Sequence, residues 1–286
     1  MTGAALVLAG GGRVGIAWEL GMLRGIELGS PGLIGRIRDP ATTYIGTSAG
    51  SVVAAQLALG GHLDDLLRAE SESAPAEKDS AQETPFHVLP MVAAMITARI
   101  GAKTPEDSRR RIGAYALKAQ GISEDAWIDS IASRFERTTW PERRLLINAV
   151  DVHSGEHRVF DRDSGVDLVR AVAASCSVPG VFLPVSIDGR RYMDGGMRSI
   201  ANADLAAGCD PVLILAPLRG GAGLGNVKAS ELASLGGARV HVEYADRAAS
   251  RAFGRNPLDD STRAASAAAG LRQGRDSAAA LSAFWE

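Results

Sequence analysis

Cysteine, aromatic side chains and excess basic charge are all scarce in this chain, and each scarcity removes a class of protein. Two cysteines in 286 residues, Cys176 and Cys209, cannot staple a disulfide scaffold, and their spacing fits no metal motif. They are read as buried reduced thiols. Aromatics make up 5% and the formal net charge is −2, so there is no basic surface that calls for nucleic acid. No apolar run reaches the roughly 20 residues of a membrane-spanning helix. The start, Met1 to Leu8, runs straight into a glycine loop without the basic and apolar regions of a leader. A cytoplasmic location is the simplest expectation.

What remains is an ordinary globular composition, 46% hydrophobic and 22% charged, in a chain long enough for one large α/β domain. No linker or internal repeat divides it, so residues 1–286 are read as a single domain. Ala4 to Ala9 is a short apolar run before glycines, as in a strand buried on both faces. Ile16 to Leu28 has near-helical apolar spacing and breaks at Gly29-Ser30-Pro31-Gly32. Thr42 to Ile45 predicts a second strand, and Ser51 to Leu59 the helix after it. Strand, glycine turn and helix thus occur twice within the first 60 residues.

Farther on, residues 61–143 read as a mostly helical insertion. Residues 70–85 form a polar loop within it, with Pro75 and Pro85, and Ser123 starts a helix that runs through Phe135. Phe86 to Ile100 is strongly apolar and reads as a buried helix; a lid or lipid-facing segment is its functional alternative. Arg144 to Val150 predicts a buried strand, with a turn at Asp151 to Glu156 leading into His157 to Phe160. Val166 to Ser175 should be helical. Val185 to Met193 reads as a hairpin turning at Asp188-Gly189, and it delivers the chain to Asp194. Pro211 to Ala216 and Arg239 to Tyr244 predict two more strands. From about 247 to 286 the chain reads as one or two surface helices.

Three segments carry chemistry. Gly46-Thr47-Ser48-Ala49-Gly50 fits the G-x-S-x-G nucleophile elbow, which exposes a serine between a strand and a helix. Gly10-Gly11-Gly12-Arg13-Val14-Gly15 can turn several backbone N–H groups toward negative charge. Asp194-Gly195-Gly196 offers a carboxylate in a turn that other backbone can approach. A hydroxyl nucleophile needs a base and donors for the oxyanion it creates, and these segments hold candidates for both. The glycine loop also satisfies the dinucleotide fingerprint G-x-G-x-x-G. That motif needs an acid at the end of the second strand, and neither Glu27 nor Asp39 is placed for it.

In that order of motifs the chain resembles the patatin-like phospholipases. Ala174 to Pro184 also resembles the stretch that leads to that family's aspartate, and the likeness runs over about residues 4–216. It implies a three-layer α/β/α fold with a mainly parallel central sheet. It also implies a Ser–Asp dyad. Ser48 would attack an acyl carbonyl, Asp194 would be the base, and the Gly10, Gly11, Gly12 and Arg13 backbone would form the oxyanion hole. Gly15, Gly46, Gly50, Gly195 and Gly196 would support them. The substrate would be a lipid acyl ester, with transient contact to a membrane surface and with neither metal nor cofactor. Many members carry a basic residue just before the loop's last glycine; here Val14 stands there and Arg13 one place earlier.

Two rival readings stay on the table. A Ser–Asp–His triad would need a histidine after Asp194, and only His241 qualifies, in a probable strand. A nucleotide-binding protein, or a non-catalytic lipid binder of the same fold, would use the same glycine loop differently. His62, His87, His153 and His157 read as surface or structural. Asp64 and Asp65 are placed beyond a helix end, and Asp259 and Asp260 in a loop.

Overall fold

A computed structural model describes residues 3–72, 88–219 and 226–286. Along the chain come β1 (Ala5–Leu8), α1 (Gly12–Gly29), α2 (Pro31–Ile37), β2 (Thr43–Gly46), α3 (Ala49–Ala58) and α4 (Leu63–Glu72). There follow α5 (Val88–Arg99), α6 (Pro105–Ala116), α7 (Glu124–Ala132), β3 (Leu145–Asp151), β4 (His157–Phe160) and α8 (Leu168–Ser175). The chain ends with β5 (Val185–Ile187), β6 (Arg190–Asp194), β7 (Val212–Ala216), α9 (Ala229–Ser234), β8 (Val240–Tyr244), α10 (Arg247–Ala252) and α11 (Arg263–Trp285). The expected α/β class is observed, with a mixed, mostly parallel sheet flanked by helices. Most of the polar stretch read as a loop, together with Phe86 and His87, lies outside the described residues.

Contacts divide the chain into two compact units. The first comprises Met1–Pro75, Pro141–Leu146 and Ser199–Glu286. Its sheet runs β2-β1-β7-β8, all parallel, with Ala5 level with both Thr43 and Val212. β1, β2 and β7 are buried at every residue, which is why their sequences are continuous apolar or β-branched runs rather than alternating ones. Parallel strands in register send all their C-terminal ends to one edge, where functional residues of such sheets gather.

Helix α11 corrects the expectation of surface helices at the C-terminus. It packs against α1 along a line of small residues: a Cβ on Gly270 would stand 2.3 Å from the Trp18 carbonyl oxygen, and one on Gly21 2.3 Å from that of Ala267. Backbone meets backbone there, so only glycine fits. Gln273, buried in the seam, accepts from Trp18 Nε1 (3.2 Å) and donates to Glu243 (2.7 Å) and the Tyr244 carbonyl (2.8 Å). Alanine and glycine give α11 no strong apolar stripe, so its buried face is not legible as one. Asp64 and Asp65 are also corrected: they stand in the first turn of α4, where they complement the positive end of the helix.

The second unit comprises Ala76–Trp140 and Ile147–Arg198. Within it β3 pairs antiparallel with β4 and β6, and β6 with β5. Both predicted hairpins form. The second turns at Asp188 (φ 50°) and Gly189 (φ 74°), the left-handed pair a tight two-residue connection requires. Ser123 caps α7 by accepting from the Ala126 N–H at 3.2 Å. Trp127 stacks on Phe182 with ring centroids 3.7 Å apart and donates to the Ala173 carbonyl at 3.1 Å. Helix α5 is not the buried helix its sequence suggests. Ile96 is 52% exposed and, just past the helix, Ile100 is 68% exposed. Among its described residues, Ala98 and Met95 reach the cluster of Ile112, Val150, Val152 and Met193. A helix apolar all round does not announce which side it buries.

Candidate active site

Leu8 lies beside Gly46 in the parallel pair β1–β2, so the glycine loop and the G-x-S-x-G turn leave the sheet side by side. Ser48 sits between β2 and α3 with φ 52° and ψ −124°. A serine has no steric freedom there, and such a strained residue persists only when its surroundings hold it. They do so through backbone. Thr47 N–H donates to the Leu8 carbonyl (3.1 Å), Gly50 N–H to Thr47 (2.9 Å) and Ser51 N–H to Ser48 (2.8 Å). Gly50 cannot be anything larger, since a Cβ there would lie 2.0 Å from the Leu8 oxygen.

The glycine loop lies directly against the serine. A Cβ on Gly10 would stand 3.3 Å from the Ser48 Cβ, and one on Gly15 3.5 Å from that of Ala49. Within the loop the backbone donors are not equivalent. Gly10 N–H is committed to the Ile200 carbonyl at 2.8 Å and Val14 N–H to Pro257 at 3.2 Å. Among the described residues the N–H groups of Gly11 and Gly12, at the start of α1, have no protein acceptor. They carry the unsatisfied donors and the positive end of an 18-residue helix. The loop's capacity for negative charge therefore centres on Gly11 and Gly12, and Gly10 serves as an anchor. The Arg13 side chain points to an ion pair with Asp260.

Sequence reasoning did not assign a role near this turn to four residues: Asn202, Pro257, Asp260 and Glu19. Asn202 is buried in the left-handed region (φ 51°) and donates from Nδ2 to Thr47 Oγ1 at 3.1 Å and to the Ser199 carbonyl at 2.7 Å. Thr47 Oγ1 in turn donates to the Ala201 carbonyl at 3.3 Å. Pro257 and Asp260 touch the loop from the far end of the chain. Glu19, one turn beyond Gly15, is fully buried, and neither carboxyl oxygen has a hydrogen-bond partner among the described residues. Burial pushes its carboxyl well above the ordinary carboxylate range; the nearby Ala9 N–H pulls the other way but already donates to Leu215. Its sequence signal is a lone acid amid the apolar positions of α1.

In the second unit Asp194 ends β6 opposite Ala149 and is buried. Its N–H donates to the Ser177 carbonyl at 2.9 Å, within the Ala174 to Pro184 stretch singled out in sequence. Its Oδ1 accepts from Gly196 N–H at 2.7 Å, so Asp194 also caps the tight turn Gly195–Met197. Gly195 lies against Asn148, where a Cβ would meet Oδ1 at 2.1 Å.

His241 is excluded as the base of a triad. It stands near the start of β8, three strands from β2, which is about 14 Å across the sheet, whereas Ser48 follows the end of β2. Its Nε2 is paired with Glu243 at 3.0 Å.

A model of the patatin-like phospholipases, the family the motifs resemble, matches residues 6–207. The chain belongs to that family. Solved structures similar to this patatin-like chain include VipD from Legionella pneumophila, 13% identical, with 97% of this chain and 67% of VipD covered at a TM-score of 0.44. ExoU from Pseudomonas aeruginosa, solved with SpcU, is 15% identical, with 100% of this chain and 53% of ExoU covered at a TM-score of 0.45. The chain thus spans about half the length of ExoU. Among the described residues no helix is long and apolar enough to cross a membrane.

Proposed function

We propose that the chain hydrolyses lipid acyl esters through an acyl-Ser48 intermediate, with Asp194 as its base. The observation that carries the reading is the placement of Gly10 against a strained Ser48, with the N–H groups of the next two residues, Gly11 and Gly12, left without an acceptor among the described residues. Ser48 Oγ adds to the ester carbonyl and its proton passes to the Asp194 carboxylate. The oxyanion that forms accepts from Gly11 and Gly12 N–H, donors without other partners among the described residues. Collapse expels the alcohol, which takes the proton from Asp194. Water then attacks the acyl-serine and gives its proton to Asp194; collapse of the second adduct breaks the bond to Ser48 Oγ, which takes that proton back from Asp194 as the fatty acid leaves. The dyad and the lipid substrate rest on the family motifs at Ser48 and Asp194.

A nucleotide-binding reading of the loop lacks support: β2 ends at Gly46 with Thr47 and Ser48 after it, where a ribose-binding acid would stand. The test is hydrolysis of a chromogenic short-chain acyl ester, together with labelling by a fluorophosphonate. Ser48→Ala should abolish both while keeping the native melting transition. Full hydrolysis by that variant overturns the proposal. Asp194→Asn should lose turnover as well.

A further inference from the structure

The glycine loop is held from a part of the chain that the family match does not reach. Residues 6–207 are matched, whereas the loop's outer side rests on the segment between α10 and α11. Gly12 has φ 65°, and a Cβ there would stand 2.5 Å from the Pro257 carbonyl oxygen. The same oxygen accepts from Val14 N–H at 3.2 Å. Between these two contacts, the Arg13 guanidinium pairs with Asp260.

The segment has its own bracing. Asn256 Oδ1 accepts from Leu258 N–H at 2.9 Å, and Asp259 Oδ1 accepts from Ser261 N–H at 2.9 Å and from Ser261 Oγ at 2.7 Å. Asp260 also faces Arg263 Nη1 at 3.6 Å. Arg263, at the head of α11 and largely buried, donates twice to Glu70 of α4, at 2.8 and 2.6 Å. The chain of charges Arg13, Asp260, Arg263, Glu70 therefore ties the loop to two helices. Of these links Arg263–Glu70 is the buried, doubly hydrogen-bonded one, while Arg13 and Asp260 are partly buried.

We propose that Asp260 is a positioning residue for the oxyanion loop: through Arg13 it fixes the direction in which Gly11 and Gly12 present their N–H groups. The inference rests on the proposed hydrolysis and adds the element that shapes its oxyanion hole. Oxyanion donors work only when they already point at the developing charge, and small displacements are costly there. A loop of three successive glycines has no side chains of its own to hold that direction. Arg13 lends it one, and Asp260 receives it.

The test compares Asp260→Asn and Asp260→Glu with the parent chain by ester hydrolysis and by amide hydrogen exchange of the peptide carrying Ala9–Val14. Asp260→Asn should lower kcat roughly 10- to 100-fold, with KM within about twofold, because substrate binding does not need the oxyanion donors but the transition state does. Exchange at Gly10 and Val14, whose N–H groups are bonded to the Ile200 and Pro257 carbonyls, should quicken, while peptides from β7 keep their protection. Asp260→Glu, which keeps the charge, should recover most of kcat. The proposal is overturned if kcat and loop exchange are unchanged in Asp260→Asn. It is also overturned if Asp260→Glu loses as much as Asp260→Asn. A parent chain that hydrolyses no acyl ester is a separate result: it sinks the proposed function, while exchange at Gly10 and Val14 still shows whether Asp260 holds the loop.

Discussion

Asn202 donates its side-chain amide to the Thr47 hydroxyl at 3.1 Å, one residue before the strained Ser48. The contact joins two left-handed residues, Ser48 at φ 52° and Asn202 at φ 51°, through a single threonine. Each conformation is unfavourable for a side chain, and each is kept in place by the hydrogen bonds of the other's neighbourhood. The elbow is thus fixed from outside its own sequence.

Asn202→Ala should therefore affect both stability and the serine. It leaves the buried Thr47 hydroxyl without its donor and places alanine in a left-handed position, so a loss of about 2–3 kcal/mol is expected. The rate of fluorophosphonate labelling should fall further than the change in folding accounts for at a temperature where the variant is fully folded. Asn202→Gly separates the two effects: it relieves the backbone and still lacks the amide. If Asn202→Gly labels at the parent rate, the amide does not orient Ser48.

Glu19 makes a prediction with a definite sign. Its folded-state pKa lies above the roughly 4.3 of a free glutamate, because burial disfavours the charged form. Between those two values the folded chain holds a proton that the unfolded chain has released. Stability therefore falls as pH rises through the window, by about 1.4 kcal/mol per pH unit at most, and the cost is absent below about pH 4. Glu19→Gln removes the titration. Urea midpoints of the two proteins should differ more at pH 8 than at pH 5, with the glutamine variant gaining as pH rises. A pH-independent difference would show that Glu19 does not titrate in this way.

The seam between α1 and α11 can be probed by one methyl group. Gly270→Ala puts a Cβ 2.3 Å from the Trp18 carbonyl oxygen and should cost about 3 kcal/mol, or roughly 5–10 °C in Tm. Gly32→Ala is the matched control: it lies in α2 with nothing within 4 Å, and a helical alanine should be neutral or slightly stabilising. Equal melting temperatures for the two variants would mean that the helices do not touch as described.

The legible parts of this fold were those whose signal is local. β1, β2 and β7 are buried on both faces, and their short apolar runs say so without any partner. Asp188-Gly189 dictates its own turn, and Ser123 its own cap. The G-x-S-x-G turn is legible from its own spacing after a β-branched run, although the Leu8 carbonyl that excludes a Cβ at Gly50 comes from the neighbouring strand β1. What was not legible depends on distant residues. Nothing near Asp260 in sequence points to Arg13, and nothing near Asn202 points to Thr47. Helix α11 reads as exposed because alanine and glycine bury by close approach rather than by bulk, and α5 reads as buried because its apolar residues face every way.

The seam of α1 and α11 has a consequence for how the molecule comes into being. Helix α1 finds its complement only in the far-off α11, and the loop at its head is tied to residues 257 and 260 just before that partner. Until residues 257–285 have been made, Gly11 and Gly12 lack the contacts of Pro257 and Asp260 and the packing of α11. The growing chain is thereby kept from presenting a shaped oxyanion loop to any ester it meets, and the family's matched portion cut out at residue 207 would share that incompleteness.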